Sequence, residues 1–273
     1  MKKIAGILFI TLCILSGCSF TDTTSDKEKN ENYEVLNKAI EAYDKNSEKT
    51  YAEVRYLMTM PIEDGGPLRF DYKEITGTIE LQDKDGKTYI YSDFVEEGNH
   101  IYKYEKREDN TIYTLSAPEG VIDPSTYYEF DDVEGEGMEH NPIQLAKEQY
   151  LEGEYKPYFN YTIEEKDNGH VISIKCNDLK GYQEYIDEIM GVDSNNDVHY
   201  FNNHVVSKEE PLRIEIIFEL DSAYNLKKYT QYYEYDYGDD LIYKANFMET
   251  LKEKEQFTYS IEDIDKIFEE TRN

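Results

Sequence analysis

The chain has 273 residues, with 59 Asp and Glu against 29 Lys and Arg, a formal charge of −30, and 27 Tyr, 11 Phe and no Trp. So acidic a surface repels a phosphate backbone and excludes nucleic acid as a partner, while the aromatic content is too high for a disordered chain. No apolar run reaches the roughly 20 residues that a spanning helix requires.

The first residues direct export. Met1-Lys2-Lys3 is a short basic start, and Ile4 to Leu15 is apolar apart from Gly6 and Thr11. A basic start followed by a short apolar stretch reads as a signal peptide, too short for a stable spanning anchor. Leu15-Ser16-Gly17-Cys18 comes next, in the order branched apolar, small, small, cysteine. This segment resembles the lipobox of bacterial lipoproteins. The resemblance implies recognition of Leu15, Ser16 and Gly17 by lipoprotein signal peptidase, cleavage before Cys18, and a diacylglyceryl group on the Cys18 thiol. An ordinary secretory signal with a cysteine there by chance is the alternative. In the lipoprotein reading residues 1–17 are removed, and the lipid on Cys18 holds the protein at the outer face of the cytoplasmic membrane. One acyl chain binds only marginally, whereas two or three hold firmly. Anionic lipid repels the acidic domain, so the lipid has to supply the attachment.

Cysteine use agrees with export. Cys13 leaves with the signal peptide and Cys18 is lipidated, so Cys176 is the one remaining thiol and no intrachain disulfide forms. Residues 18–32 (CSFTDTTSDKEKNEN) are polar and almost free of apolar side chains. They cannot bury enough surface to order themselves and read as a tether. Residues 33–273 form a single α+β domain.

A first helix is predicted over about 33–47, where Tyr33, Leu36, Ile40 and Tyr43 recur at helical spacing. Period-two runs follow at 51–60, 70–82, 87–96, 99–106 and 110–116, linked by short turns such as Lys84-Asp85-Gly86. Such connections between alternating runs predict hairpins and an antiparallel meander. Residues 117–142 carry Pro118, Gly120, Pro124, Gly135, Gly137 and an acidic cluster, and read as a long loop. Asn141-Pro142 caps a short helix through about Tyr150, with Pro142 at its first position. A second meander starts at 155–166, turns at Asn168-Gly169 and returns through Cys176, which alternates in phase with Ile172 and Ile174 and should pack as a small apolar side chain. Leu179, Tyr182, Ile186 and Ile189 share a helix face; 191–210 reads as a polar loop; runs follow at 211–220, 223–236 and 241–257. Ser260 and Asp263 approximate a capping box ahead of a closing helix to about Glu270, striped by Ile261, Ile264, Ile267 and Phe268.

The expected fold is one strongly curved antiparallel sheet of about ten strands, a half-barrel with helices on its concave side, because a flat sheet of that size would expose two long edges. The order helix, meander, helices, meander, helix resembles the LolA-like lipoprotein carriers and their Gram-positive lipid-anchored relatives. The resemblance lies in element order and lipobox, not in a residue motif, so no cavity residue transfers by name. It implies an apolar groove under the helices able to take an acyl chain or a hydrophobic peptide; the same fold with a filled core is the alternative.

Motifs for chemistry are lacking. Asp193-Ser194-Asn195-Asn196-Asp197 opens like a calcium loop but has Val198 at its sixth position and His204 at its twelfth. His199 and His204 are five apart, which does not suit zinc on a helix. Glu134, Glu136 and Glu139, or Asp236, Asp239 and Asp240, could hold calcium weakly, as could other acidic clusters of the chain. There is no nucleophile elbow, phosphate loop or His-Glu-x-x-His, so no metal, cofactor or catalytic residue is assigned. Tyr229, Gln231, Tyr233, Tyr235 and Tyr237 fall on one strand face, echoed by Tyr89 and Tyr91 and by Tyr102 and Tyr104. They suggest an outer face covered by Tyr, either simply wet at the hydroxyls or used to bind a partner or sugar. The function expected is a non-enzymatic, membrane-anchored lipoprotein that binds a hydrophobic ligand. The alternatives are a cell-surface protein-binding module, such as a sensor, an immunity factor or an envelope-assembly partner, and an enzyme using two carboxylates.

Overall fold

The computed structural model describes residues 33–46, 48–61, 69–108, 111–131, 141–189, 198–201, 204–207, 210–237 and 242–272. Leu15, Ser16, Gly17, Cys18 and the tether lie outside the described residues.

Helix α1 (Glu34–Asn46) places Glu34 in its first turn and Lys45 in its last, each favourable with the helix dipole. Strands β1 (Lys49–Pro61), β2 (Phe70–Lys84), β3 (Lys87–Glu96), β4 (Asn99–Glu108), β5 (Thr111–Pro118) and β6 (Tyr128–Asp131) follow as one meander. The turns at Asp85-Gly86 and Glu97-Gly98 hold all four residues at positive φ. That geometry matches the right-handed twist of the flanking strands, and the glycines make it accessible. Helix α2 (Pro142–Ala146) continues into a π-helical turn, Lys147–Glu152. Strands β7 (Phe159–Lys166) and β8 (Gly169–Cys176), helix α3 (Leu179–Ile189) and a separate hairpin of β9 (Val198–Phe201) and β10 (His204–Ser207) come next. Strands β11 (Glu210–Asp221), β12 (Leu226–Asp236) and β13 (Ile242–Lys252) and helix α4 (Ile261–Arg272) close the chain.

The main sheet has 11 antiparallel strands in the order β6-β5-β4-β3-β2-β1-β13-β12-β11-β8-β7, and it is not closed. The pairing of β1 with β13 joins the two meanders, so the first and last strands lie at the centre. Three strands arise where loops were expected. β6 lies within 117–142, and β9 and β10 lie within 191–210. Each spans four residues, too short for alternation to stand out from polar surroundings.

Residues directly opposite each other on paired strands share a face, and the register sorts the core into two sides. One side carries Phe218, Ile216, Ile214, Ile172 and Ile174, all essentially buried, with Leu36 and Ala39 of α1, Ile143, Ala146 and Tyr150 of the α2 segment and Tyr182 of α3 packed against them. Its register runs on through Val54 and Tyr56 to Ile79, Ile90 and Phe94. The other side carries Tyr89, Tyr91, Tyr104, Leu115 and Ala117, packed under Ile264 and Phe268 of α4. Helix α4 therefore departs from the expectation that all helices share one side. The phase of β3 decides this, because Tyr89 and Tyr91 alternate with Ile90 and turn the opposite way.

Two devices fix the helices. Asn141 accepts hydrogen bonds from Ile143 N (3.0 Å) and Gln144 N (3.3 Å) and donates to Ile40 O and Asp44 Oδ1 (both 3.0 Å), so the cap of α2 also ties it to α1. At α4, Ser260 N donates to Asp263 Oδ2 (3.0 Å) and Asp263 N to Ser260 Oγ (3.1 Å), the reciprocal cap expected from the sequence.

A candidate ligand chamber on the Phe218 side

The Phe218 side holds a polar group where the pattern calls for an apolar one. A row across the sheet runs Phe94, Gly77, Val54, Glu249, Tyr229, Phe218. The next runs Ile75, Tyr56, Phe247, Gln231, Ile216. Glu249 thus sits on the central strand with aromatic neighbours along and across it. The Tyr56 hydroxyl donates to Glu249 Oε1 at 3.0 Å. Tyr56 meets Phe247 edge-on with ring centres 5.4 Å apart, and Tyr229 stacks on Phe218 at 5.1 Å. Gln231 Nε2 donates to the Tyr229 hydroxyl. Tyr43 reaches Glu249 electrostatically from α1.

Burial disfavours the Glu249 carboxylate and raises its pKa; the Tyr56 hydrogen bond opposes this without cancelling it. Among the described residues, no Lys or Arg lies within ion-pair distance of Glu249. The Tyr43 hydroxyl is pushed up to about 12, first by burial and then by the charges of Glu249 and Asp83.

Glu249, Tyr229 and Tyr233 lie on the Phe218 side with part of their surface still accessible to water. Tyr150, by contrast, is only 2% exposed. Tyr150 of the π-helical turn and Tyr233 of β12 influence each other through their hydroxyls. Further along the same side, Lys103 of β4 stands 5.8 Å from the Phe94 ring. Burial lowers its pKa, and the charge of Glu105 only partly offsets this.

The tyrosine rows expected on an outer face are instead interior. Tyr229, Gln231, Tyr233 and Tyr235 turn toward the helices on the Phe218 side. Tyr89, Tyr91 and Tyr104 lie under α4. Their polar ends find partners inside: Tyr89 OH donates to Asp265 (3.1 Å) and Tyr104 OH to Tyr259 OH (3.2 Å). Tyr237 lies beyond β12 and packs edge-on against Phe70.

The α4 side is a fastening. Glu80, 1% exposed, accepts from Thr258 N and Thr258 Oγ1 (both 2.7 Å) and pairs with Lys254. Gln82 Nε2 donates to Tyr259 O (2.9 Å), and Lys106 pairs with Asp265 at 2.6 Å.

Cys176 is buried in the Phe218 core as its phase indicated, and desolvation pushes its thiol up to about 11, which makes it a poor nucleophile. His100 sits 2.8 Å from Asp93, and His170 stacks on Tyr224 at 5.0 Å. Asp193 to Asp197, Glu134, Glu136, Glu139, Asp239 and Asp240 lie outside the described residues, as do the side chains of His199 and His204. Among the described residues no three His, Cys, Asp or Glu gather as a metal site, and no helix is long and apolar enough to cross a membrane.

Glu249 and Lys103 escaped the sequence reading. The signal for Glu249 was its phase: in Phe247-Met248-Glu249-Thr250-Leu251 it occupies the position of an apolar residue. No protein-family model matches the chain, and comparison with curated proteins finds no significant match.

Proposed function

We propose that this protein is a membrane-anchored extracytoplasmic lipoprotein, lipidated on Cys18, that binds a hydrophobic ligand between the sheet and its helices and catalyses no reaction. The observation that carries the reading is the row of partly accessible rings on the Phe218 side, Tyr229, Tyr233, Phe247 and Tyr43, from which we infer a hollow there. Lipid-sized pockets are concave and mostly apolar, with a few placed polar groups. Curvature of the sheet around this side is part of the proposal. Gly77 supports it, because a Cβ there would run into the Asp93 carbonyl of β3. A glycine in a strand interior commonly marks a bend of this kind. The likeness to LolA-like carriers rests on element order.

An environment-sensitive hydrophobic dye tests the binding reading. The full-length chain should enhance its emission saturably, and Gln231→Trp, which extends a ring into the hollow, should abolish the enhancement without lowering the unfolding midpoint. An unchanged response in Gln231→Trp would place the dye elsewhere. Labelling with a fatty acid tests the anchor: label should enter the wild type and be absent from Cys18→Ser. A protein-binding module without a small ligand is the second reading. The polar side chains of Asn160, Thr162, Ser173, Lys175 and Glu215 on the opposite side support it, lining a depression of about 440 Å³.

A further inference from the structure

We propose that the depression on the sheet face opposite Phe218, lined by Asn160, Thr162, Lys175 and Glu215, is a binding site for a short neutral oligosaccharide. It lies on the other side of the sheet from the inferred hollow and stands independently of the lipid reading.

The depression, about 440 Å³, crosses β7, β8 and β11 at one end of the sheet. Asn160, Lys175 and Glu215 form one row across these strands, and Thr162, Ser173 and Ile217 form the next. Glu164 and Val171 lie beyond the second row, and Asn177 beyond the first. From Val171 to Asn177 the trough follows β8 for about 20 Å, at roughly 3.4 Å per residue. That length suits several linked rings rather than one.

Glu215 is held in place before any ligand arrives. Its Oε1 accepts from Ser173 Oγ (3.0 Å), and its Oε2 accepts from Arg213 Nε (2.9 Å) and Nη2. Arg213 in turn lies 3.8 Å from the centre of the Tyr232 ring. These contacts orient the carboxylate and leave part of its roughly four acceptor positions open. The neighbouring polar groups are uncommitted. Elsewhere on this face opposite charges meet across strands, as Glu219 with Lys228 (3.2 Å) and Arg55 with Glu74 (2.7 Å). Lys175 stands directly opposite Glu215, yet it makes no hydrogen bond or ion pair among the described residues. The side chains of Asn160, Thr162, Glu164 and Asn177 make none there either. A fixed acceptor among free amides, a hydroxyl and an ammonium group matches neighbouring sugar hydroxyls, each of which donates and accepts. Val171 and Ile217 offer apolar surface to the C–H face of a ring.

The lining decides between ligand classes. Protein partners are anchored mainly by Trp, Tyr and Arg, and none of these lines the depression. One Lys against two carboxylates disfavours phosphates and polyanions. An acyl chain would meet only two apolar side chains.

The test titrates cellotetraose, maltotetraose and N-acetylchitotetraose into the full-length chain, followed by saturation-transfer NMR, with an uncharged Gly-Ser peptide of similar length as the control. At least one tetrasaccharide should bind saturably, and the peptide should not. Asn160→Ala and Lys175→Met should each weaken that sugar severalfold, and Thr162→Trp, which fills the trough, should abolish its binding. Asn160 and Lys175 are exposed and make no internal bonds, so their variants should keep the wild-type unfolding midpoint and the loss reads the site rather than the fold. Failure of all three sugars to bind, or binding that Asn160→Ala and Lys175→Met leave unchanged, would overturn the proposal. Binding of the peptide in place of the sugars, weakened by the same variants, would also overturn it and assign the depression to a protein partner.

Discussion

The Tyr56 hydroxyl donates to the Glu249 carboxylate at 3.0 Å, across the pairing of β1 with β13 that joins the two meanders. The centre of the sheet is therefore also where its most anomalous side chain sits. Burial favours the neutral carboxyl there over the carboxylate, so stability should depend on pH through this group.

Burial raises the Glu249 pKa above its ordinary 4.5. The folded state then holds a proton that the unfolded state has released, and stability declines as pH rises from 4.5 through the folded-state value. The groups facing Glu249 are Tyr56, Tyr229 and Tyr43, whose own pKa values are raised, so they stay neutral across that range. Glu249→Gln should remove this decline and be at least as stable as the wild type at neutral pH. Urea unfolding at a series of pH values checks it; a parallel decline in the variant would assign the slope to other acids.

Asn141 serves two helices at once. Asn141→Ala removes the cap of α2 and its bonds to Ile40 and Asp44. A lost cap costs about 1 kcal/mol and buried groups left without partners add to it, so a loss of about 2 kcal/mol is expected by chemical denaturation.

The register of β11 makes a paired prediction. Phe218 is fully buried while Ile217 faces the opposite, partly exposed side. Phe218→Ala should cost about 3–5 kcal/mol, and Ile217→Ala clearly less. Comparable losses would mean that the strand phase is wrong.

Helix α4 is fastened by charge as well as by packing. Lys254→Met takes the cation from buried Glu80, and Asp265→Asn weakens the contacts with Lys106 and Tyr89. Each should loosen α4 first. Limited proteolysis should then cut within 253–260 faster than in the wild type, with the remainder of the sheet protected.

Much of this architecture was legible in the sequence. The alternation of β11, the Asp85-Gly86 turn, the Asn141-Pro142 start and the Ser260–Asp263 cap all rest on local rules, and each is seen; β2 and β3 form where runs were expected but are buried on both faces over much of their length. What stayed hidden depends on long-range context. Tyrosine serves in a core or on a surface, and only the packing of α4 over Tyr89 and Tyr91 decides between them. Glu249 reads locally as one acid among 59; its significance appears only when β1 and β12 bring Tyr56 and Tyr229 to it. The pairing of β1 with β13 spans nearly the whole domain, and no local signal encodes it.

The central claim is that the space beneath α1 is occupied by an amphiphile in the cell. Mass spectrometry of an organic extract from the purified full-length protein tests it most directly. The account predicts a non-covalent amphiphile near one per chain, diminished in Gln231→Trp. An extract that yields only the covalent anchor on Cys18, from a protein that is folded and unaltered, would contradict it.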